Sequence, residues 1–301
     1  VFVKRRAAIP SFCYTKSTMA SSTPRPSITR DDAGNLDQTL RPQTWEEYIG
    51  QAKTKENLRI LLTAARERGH AAEHILLYGP PGLGKTTLAH LVARTLGTNM
   101  RTTSGPAIER VADLARTVQL GRPTFTLVPA TTRISLLSAP LRSRFSGGTF
   151  RLEFYSDEEI TSILARSAEL LGIASEHPLL SGIAKRCRAT PRTANYLLKR
   201  CRDLAQIEGG AFNADIIDRT FGLLDIDGIG LTRPDRAVLE AIIHKFGGGP
   251  VGLNTIAAAT GEEESTIEDV IEPYLIRQGL IERTPRGRVA TSEAYKHLER
   301  L

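Results

Sequence analysis

Between residues 36 and 153 the apolar positions gather into short runs, at 74–78, 100–103, 124–130 and 149–154, separated by longer stretches where they recur every three or four residues. Short runs closed by turn residues predict buried strands and the longer period predicts helices, so this part is expected to form a parallel α/β sheet. From 156 to 225 the helical period continues without a break. Ser156 before Asp157, Glu158 and Glu159 is a helix start, with Glu159 placed to return a hydrogen bond to the cap. Further on, Ala194, Leu197, Leu198, Cys201 and Leu204 share one face of a helix over 192–205. A glycine-containing linker at 227–230 leads to three more helical stretches, 235–246, 253–259 and 265–278. Two short strands, 280–283 and 289–291, then flank a basic loop at 284–288. Three helices and a basic hairpin describe a winged helix, a variant of the helix-turn-helix. The expected organisation is a tail over 1–35, an α/β core over 36–155, a helical domain over 156–226 and a winged helix over 227–301.

Composition narrows the class. With 301 residues and 41% hydrophobic content the chain can bury a substantial core. No apolar run approaches the ~18 residues of a membrane span, so no membrane partner is expected. Cys13, Cys187 and Cys201 have neither zinc nor disulfide spacing, which suits a reducing compartment, and a cytoplasmic protein is expected. The net charge of +7 suggests a nucleic-acid binder until its location is considered. Residues 1–30 hold Lys4, Arg5, Arg6, Lys16, Arg25 and Arg30 and no acid; taking these six from the 40 bases leaves 34 against 33 acids. Only local patches can therefore argue for DNA. The tail is rich in Ser, Thr and Pro and is expected to be disordered. It reads either as an organelle transit peptide or as sequence upstream of a start at Met19.

The chemistry concentrates at 79–87, Gly-Pro-Pro-Gly-Leu-Gly-Lys-Thr-Thr, which meets the phosphate-loop pattern G-x-x-x-x-G-K-[ST] between a predicted strand and a predicted helix. Backbone N–H groups of such a loop and the following helix N-terminus converge on one anion. Gly82 and Gly84 let the backbone approach phosphate without a Cβ in the way. Lys85 neutralises β/γ-phosphate charge, and Thr86, followed by Thr87, offers a hydroxyl to Mg²⁺. ATP and Mg²⁺ are the expected cofactors.

Beyond the loop, the chain resembles the RuvB family of AAA+ ATPases, which drive Holliday-junction branch migration. The resemblance rests on Leu40-Arg41-Pro42, Tyr48-Ile49-Gly50-Gln51, the stretches 76–87, 103–110, 126–145 and 190–195, residues 248–252, and 267–291 with Glu272-Pro273-Tyr274-Leu275 and Arg283 to Arg288. It implies an AAA+ P-loop core with a parallel sheet, a helical lid and a C-terminal winged helix. Leu40 and Arg41 are then expected to frame adenine, and Tyr155 and Arg192 to touch nucleotide from the lid, Arg192 as the second sensor. Of Thr131 and Thr132, which end a strand beside the loop, Thr132 is favoured as the first sensor, orienting the attacking water. Arg144 matches the arginine finger that reaches a neighbour's ATP, which implies a ring of copies, expected to be a hexamer. By spacing alone Arg144 reads equally well as a surface arginine at a helix end. Arg283 and Arg288 match the DNA-contacting residues; by themselves they describe a solvated basic hairpin as well as a phosphate-contacting one. A clamp-loader subunit would account for the loop and lid but not for the C-terminal winged helix.

One departure stands out. In the family an apolar strand ending in Asp-Glu, then a helix and a hairpin, separates the 114–115 region from the 126–128 strand. Here Leu120-Gly121-Arg122-Pro123 joins the two sides and several tens of residues are absent. That acid pair binds Mg²⁺ and activates water, so hydrolysis by this chain is expected to be slow. The sheet is expected to lack one strand, so that either 100–103 slides to pair with 124–130 or the core is poorly stable. The hairpin docks the junction-binding partner RuvA in the family, so the resemblance does not carry that partnership over. Pro129 and Ala189 stand where the family pattern has Gly. Two readings stay open: an ATP-driven motor whose sequence is misjoined or alternatively spliced here, and a nucleotide- and DNA-binding module without turnover.

Overall fold

The computed structural model describes residues 2–4, 36–101, 125–132, 134 and 137–299. Expectations for 5–35, Cys13 and Met19 among them, for the stretch 103–110 and for the joint at 120–123 lie outside the described residues. The chain divides into two compact units, one of Val1–Gly79, Leu83–Glu153 and Glu169–Gly172, the other of Pro80–Gly82, Phe154–Ala168 and Ile173–Leu301. The segments expected as lid and winged helix thus cluster as one body.

In the first unit the strands are β1 (Phe2–Lys4), β2 (Leu76–Tyr78), β3 (Asn99–Arg101), β4 (Phe125–Leu127), β5 (Ala130–Thr131) and β6 (Thr149–Arg151). The expected strand over 124–130 is broken because Pro129 has no N–H to give to a ladder. β2 is flanked by β5 and β6, both parallel to it, with Tyr78 opposite Thr131 and Arg151. The N–H of Ile75 also bonds the Leu127 carbonyl at 3.0 Å, so β4 enters beside the same edge. Its Leu127 N–H donates to His74 Nδ1 at 3.2 Å, and burial lowers the His74 pKa, keeping that ring a neutral acceptor.

Among the described residues, the strands expected over 100–103 and 124–130 do not pair with each other. β1 lies between β3 and β4, antiparallel to both, with Phe2 opposite Arg101 and Leu127, and Lys4 opposite Asn99 and Phe125. The expected parallel sheet is thus the three strands β5-β2-β6, and β3-β1-β4 form a second, antiparallel sheet in which three residues of the tail supply backbone donors and acceptors to β3 and β4. Around the sheet, Leu58, Leu62 and Ala65 of helix Ala52–Glu67 and Leu88, Leu91 and Val92 of helix Lys85–Thr95 are buried.

In the second unit the capping signature at Ser156 is realised, with Ser156 N–H on Glu159 Oε2 at 2.9 Å and Glu159 N–H on Ser156 Oγ at 3.2 Å. Helix Pro191–Glu208 buries Ala194, Leu197, Leu198 and Cys201 as the spacing predicts, with Ala205 rather than Leu204 completing the face. Cys187 and Cys201 are free and buried, and burial pushes their thiols up to about 12 and about 11. The C-terminal part packs helices Arg233–Glu240, Leu253–Thr260 and Glu272–Arg277 on the hairpin of β7 (Ile281–Thr284) and β8 (Gly287–Ala290) around Leu239, Ile242, Ile256, Leu275 and Ile281. The hairpin is tighter than the expected loop over 284–288. Thr284 pairs with Gly287, and a Cβ on Gly287 would lie 2.4 Å from the Val251 carbonyl oxygen, so only glycine turns the chain there. Among the described residues no helix is long and apolar enough to cross a membrane.

Candidate functional site

The phosphate loop has the geometry its residues require. Gly84, at φ +91°, is the N-cap of helix Lys85–Thr95, a left-handed conformation that a side chain would resist. Lys85 Nζ donates to the Gly79 carbonyl at 2.7 Å across the loop, and burial draws its pKa down to about 8. A buried ammonium at a helix N-terminus is electrostatically costly until an anion arrives. Phosphate binding therefore raises the Lys85 pKa again. The sign follows: below about pH 8 the amine is protonated both free and bound, and nucleotide affinity should be level. Above it the free protein must take up a proton to bind, so affinity should fall by up to about tenfold per pH unit. Titration of a fluorescent ADP analogue from pH 6.5 to 9.5 measures this; a flat profile would remove Lys85 as the titrating group.

The segment before the sheet is stitched to the loop helix. Leu40 is buried. Arg41 lies close enough to His90 to help lower its pKa, after burial and together with Arg94. Arg94 donates to the Gln43 carbonyl at 3.0 Å, Trp45 Nε1 to Thr95 Oγ1 at 2.7 Å, and Lys55 Nζ to the carbonyls of Trp45 and Tyr48 at 2.9 and 2.8 Å. These bonds bring Leu40 and Arg41 to the helix that Lys85, Thr86 and Thr87 begin. Gln51 exchanges two bonds with Glu153, 2.6 Å to its carbonyl and 3.1 Å from its N–H, fixing the end of the unit just before Tyr155. In the sequence Tyr48 and Gln51 stand only as carriers of resemblance; their partners lie too far along the chain for spacing to show them.

Thr131 pairs with Tyr78 in the sheet, and its carbonyl accepts the Gly79 N–H at 3.2 Å. Thr132, one residue beyond the pairing, is exposed just past the end of β5. Arg144 follows the short helix Ala139–Arg142 and is half-buried, next to Phe145, which is anchored with Leu76 and Leu127.

In the second unit Gly82, at φ +83°, comes so close to the start of helix Pro191–Glu208 that a Cβ would lie 3.3 Å from both Thr190 Oγ1 and Arg192 Cβ. Thr190 caps that helix and Pro191 opens it, which leaves Arg192 exposed in the first turn, where a cation opposes the helix dipole and an anion would relieve it. Tyr155 is buried, its N–H on the Ala189 carbonyl at 3.2 Å and its carbonyl accepting from Arg277 at 3.1 Å. Arg188 and Ala189 precede the cap at φ +59° and +52°. Two consecutive left-handed non-glycine residues store about 1–2 kcal/mol each, which accounts for glycine being expected at 189.

The hairpin separates its two arginines. Arg283 and Arg288 are cross-strand partners, and both reach Glu272, which is almost fully buried. Arg288 turns inward: its Nε and Nη2 bond Glu272 Oε2 at 3.2 and 2.9 Å, with the side chain 11% exposed. Arg283 is 55% exposed and shared between Glu268 and Glu272. Of the two residues that match DNA contacts by resemblance, Arg283 is thus exposed and Arg288 nearly buried. As cross-strand partners the two lie on one face of the hairpin, toward Glu272, and Arg288, whose backbone also bridges Val251, is the deeper of them.

Three family models match in succession: the Holliday junction DNA helicase RuvB P-loop domain over 40–119, the RuvB AAA lid domain over 155–227 and the RuvB C-terminal winged helix domain over 228–299. The chain belongs to the RuvB family. A curated relative, the Holliday junction branch migration complex subunit RuvB of Dehalococcoides mccartyi, is 47% identical over 319 residues, covering 90% of this chain and 91% of that protein. The Thermotoga maritima RuvB Holliday junction branch migration motor superposes with a TM-score of 0.82 at 42% identity, covering 87% of this chain and 99% of its own. The RuvB P-loop match ends at 119, immediately before the joint at 120–123. The 319-residue match also exceeds what 90% of a 301-residue chain can supply, so the relative carries residues without counterparts here.

Membership of the RuvB P-loop family implies nucleotide binding, and the Lys85 ammonium on the Gly79 carbonyl is a donor suited to phosphate. For Mg²⁺ the donor set is thinner. Thr86 offers a hydroxyl, and among the described residues no group of three Asp, Glu, His or Cys side chains could hold a metal ion. A metal bound here would neutralise phosphate charge while held chiefly by the nucleotide, Thr86 and water.

Proposed function

We propose that this chain is the ATP-binding subunit of a DNA motor that drives Holliday-junction branch migration in recombination and repair, acting in the cytoplasm as a ring of copies, a hexamer. The observation that carries the proposal is the half-buried Lys85 ammonium, bonded to the Gly79 carbonyl and depressed in pKa, within a glycine cradle built for phosphate. Leu40 and Arg41 hold the base. Gly82, Lys85, Thr86 and Thr87 hold the phosphates, Thr86 with Mg²⁺. Tyr155 and Arg192 report the nucleotide from the lid. Thr132 orients water, and Arg144 reaches the ATP of the neighbouring copy. Arg283, with exposed Arg286, meets the DNA backbone, and Arg288 sets the position of Arg283 through Glu272.

The two hairpin arginines should separate experimentally. Arg283→Ala should weaken duplex binding across sequences and reduce the slope of log affinity against log salt by about 0.9 for each phosphate left without its cation. Arg288→Ala should act first on stability, costing less than the about 3–5 kcal/mol of a fully stranded buried charge, because the buried Glu272 carboxylate keeps only its 3.4 Å ion pair with half-exposed Arg283. Fluorescence anisotropy of a labelled duplex between 50 and 200 mM salt, with a denaturant titration, checks both. An unchanged slope in Arg283→Ala removes that residue from the DNA interface.

A second reading comes from the sequence alone, in which no Asp-Glu pair closes an apolar run after the loop. In it the chain holds ATP and DNA without turnover. Phosphate release distinguishes the two readings.

A further inference from the structure

We propose that Arg188 is a positioning residue that couples the winged helix to the nucleotide-reporting end of helix Pro191–Glu208. The inference rests on the reading of Tyr155 and Arg192 as nucleotide contacts.

The side chain of Arg188 belongs wholly to the winged helix. Its Nη1 donates to Asp235 Oδ2 at 2.7 Å, its Nη2 to the Val270 carbonyl at 2.8 Å, and its plane lies 4.5 Å from the centre of the Tyr274 ring. Its backbone belongs to the lid. Ala189, the next residue, holds the Tyr155 N–H through its carbonyl, and Thr190, the one after, caps the helix whose second residue is Arg192. One residue thus carries both ends of a lever, and its left-handed conformation is held by contacts from the winged helix. Arg277 makes a second strut, bonding the Tyr155 carbonyl and lying 4.9 Å from the centre of the Phe154 ring.

Two further features give the latch somewhere to move. Asp235 is completely buried, and its Oδ1 has no hydrogen-bond partner among the described residues, so a second acceptor waits beside the one that Arg188 uses. A cavity of about 90 Å³ adjoins the turn, lined among others by Pro80, Pro81, Thr190, Val270 and Pro273. Residues of the phosphate loop, the lid and the winged helix therefore face one small void. Losing an anion at Arg192 can shift the turn into that space and slide the guanidinium on Asp235, which moves the helix Glu272–Arg277 that carries Glu272 and, through it, Arg283.

The test is reciprocal linkage. Affinity for a fluorescent ADP analogue is measured with and without saturating duplex, and duplex affinity with and without ADP, on the full chain. The parent should show a coupling of about fivefold or more in both directions. Arg188→Gln/Asp235→Asn removes both charges together, so no buried carboxylate is stranded. It should keep each single-ligand affinity within about threefold of the parent while coupling falls below about twofold. Arg188→Lys keeps the charge without the fork and should also lose coupling. A parent that binds no nucleotide would overturn the reading of the site. A parent that binds both ligands without coupling, or a double variant that keeps the parent's coupling, overturns this inference alone.

Discussion

ATP is expected to bind this chain and to be turned over about 10²–10⁴-fold more slowly than by a RuvB protein with the full set of acids, whether or not duplex DNA is present. The factor is that of a positioned general base, whose removal would leave, in the proposed site, Thr132 to orient water and Lys85 and the arginines to hold phosphate. The position of β5 against β2 keeps Thr132 at the loop, so proton transfer and metal ligation go while the framework stays. Phosphate release under single-turnover conditions measures the effect. DNA-stimulated turnover at an ordinary rate, abolished by Lys85→Ala, would show that other groups replace the acids. If the coding DNA between the codons for Leu120 and Thr124 contains an open frame for an Asp-Glu strand, the organism's motor carries what this chain lacks.

Lys85→Ala should weaken ATP and ADP binding by about 10- to 150-fold, the range of a charge-assisted hydrogen bond worth about 1.5–3 kcal/mol. The Gly79 carbonyl that Lys85 now satisfies would be left to water, so the fold should survive. Gly82→Val should reach a similar loss by another route. A branched side chain at φ +83°, with its Cβ 3.3 Å from Thr190 and Arg192, closes the cradle and opposes the backbone conformation at once. Calorimetric titration with ADP at pH 7 measures both. Binding within about threefold of the parent in either variant would place the phosphates elsewhere.

What was legible in the sequence follows the reach of the forces involved. The loop at 79–87, the cap at Ser156 and the buried face of helix Pro191–Glu208 are local: their partners lie within a few residues, and periodicity exposes them. The hairpin was legible as a hairpin, but not which arginine faces water, because that depends on register and on Glu272, sixteen residues before Arg288. The Gln51–Glu153 exchange and the Arg188 latch join residues far apart in sequence through single side chains, and no spacing announces them. Resemblance named Arg192, yet only the structure shows its neighbours Arg188 and Ala189 in left-handed backbone, the reason a glycine was expected there.

The position of β1 also orders events in time. Phe2 leaves the ribosome well ahead of its partners Arg101 and Leu127, which emerge only after the loop, its helix and most of β3 have been made. The sheet of the first unit therefore cannot close in the order in which it is synthesised. Each of the two pairings of β1 joins residues about a hundred or more positions apart, a high sequence separation with correspondingly slow formation. Until then the nascent chain has to keep the strand at Phe2–Lys4 from pairing with the wrong neighbour.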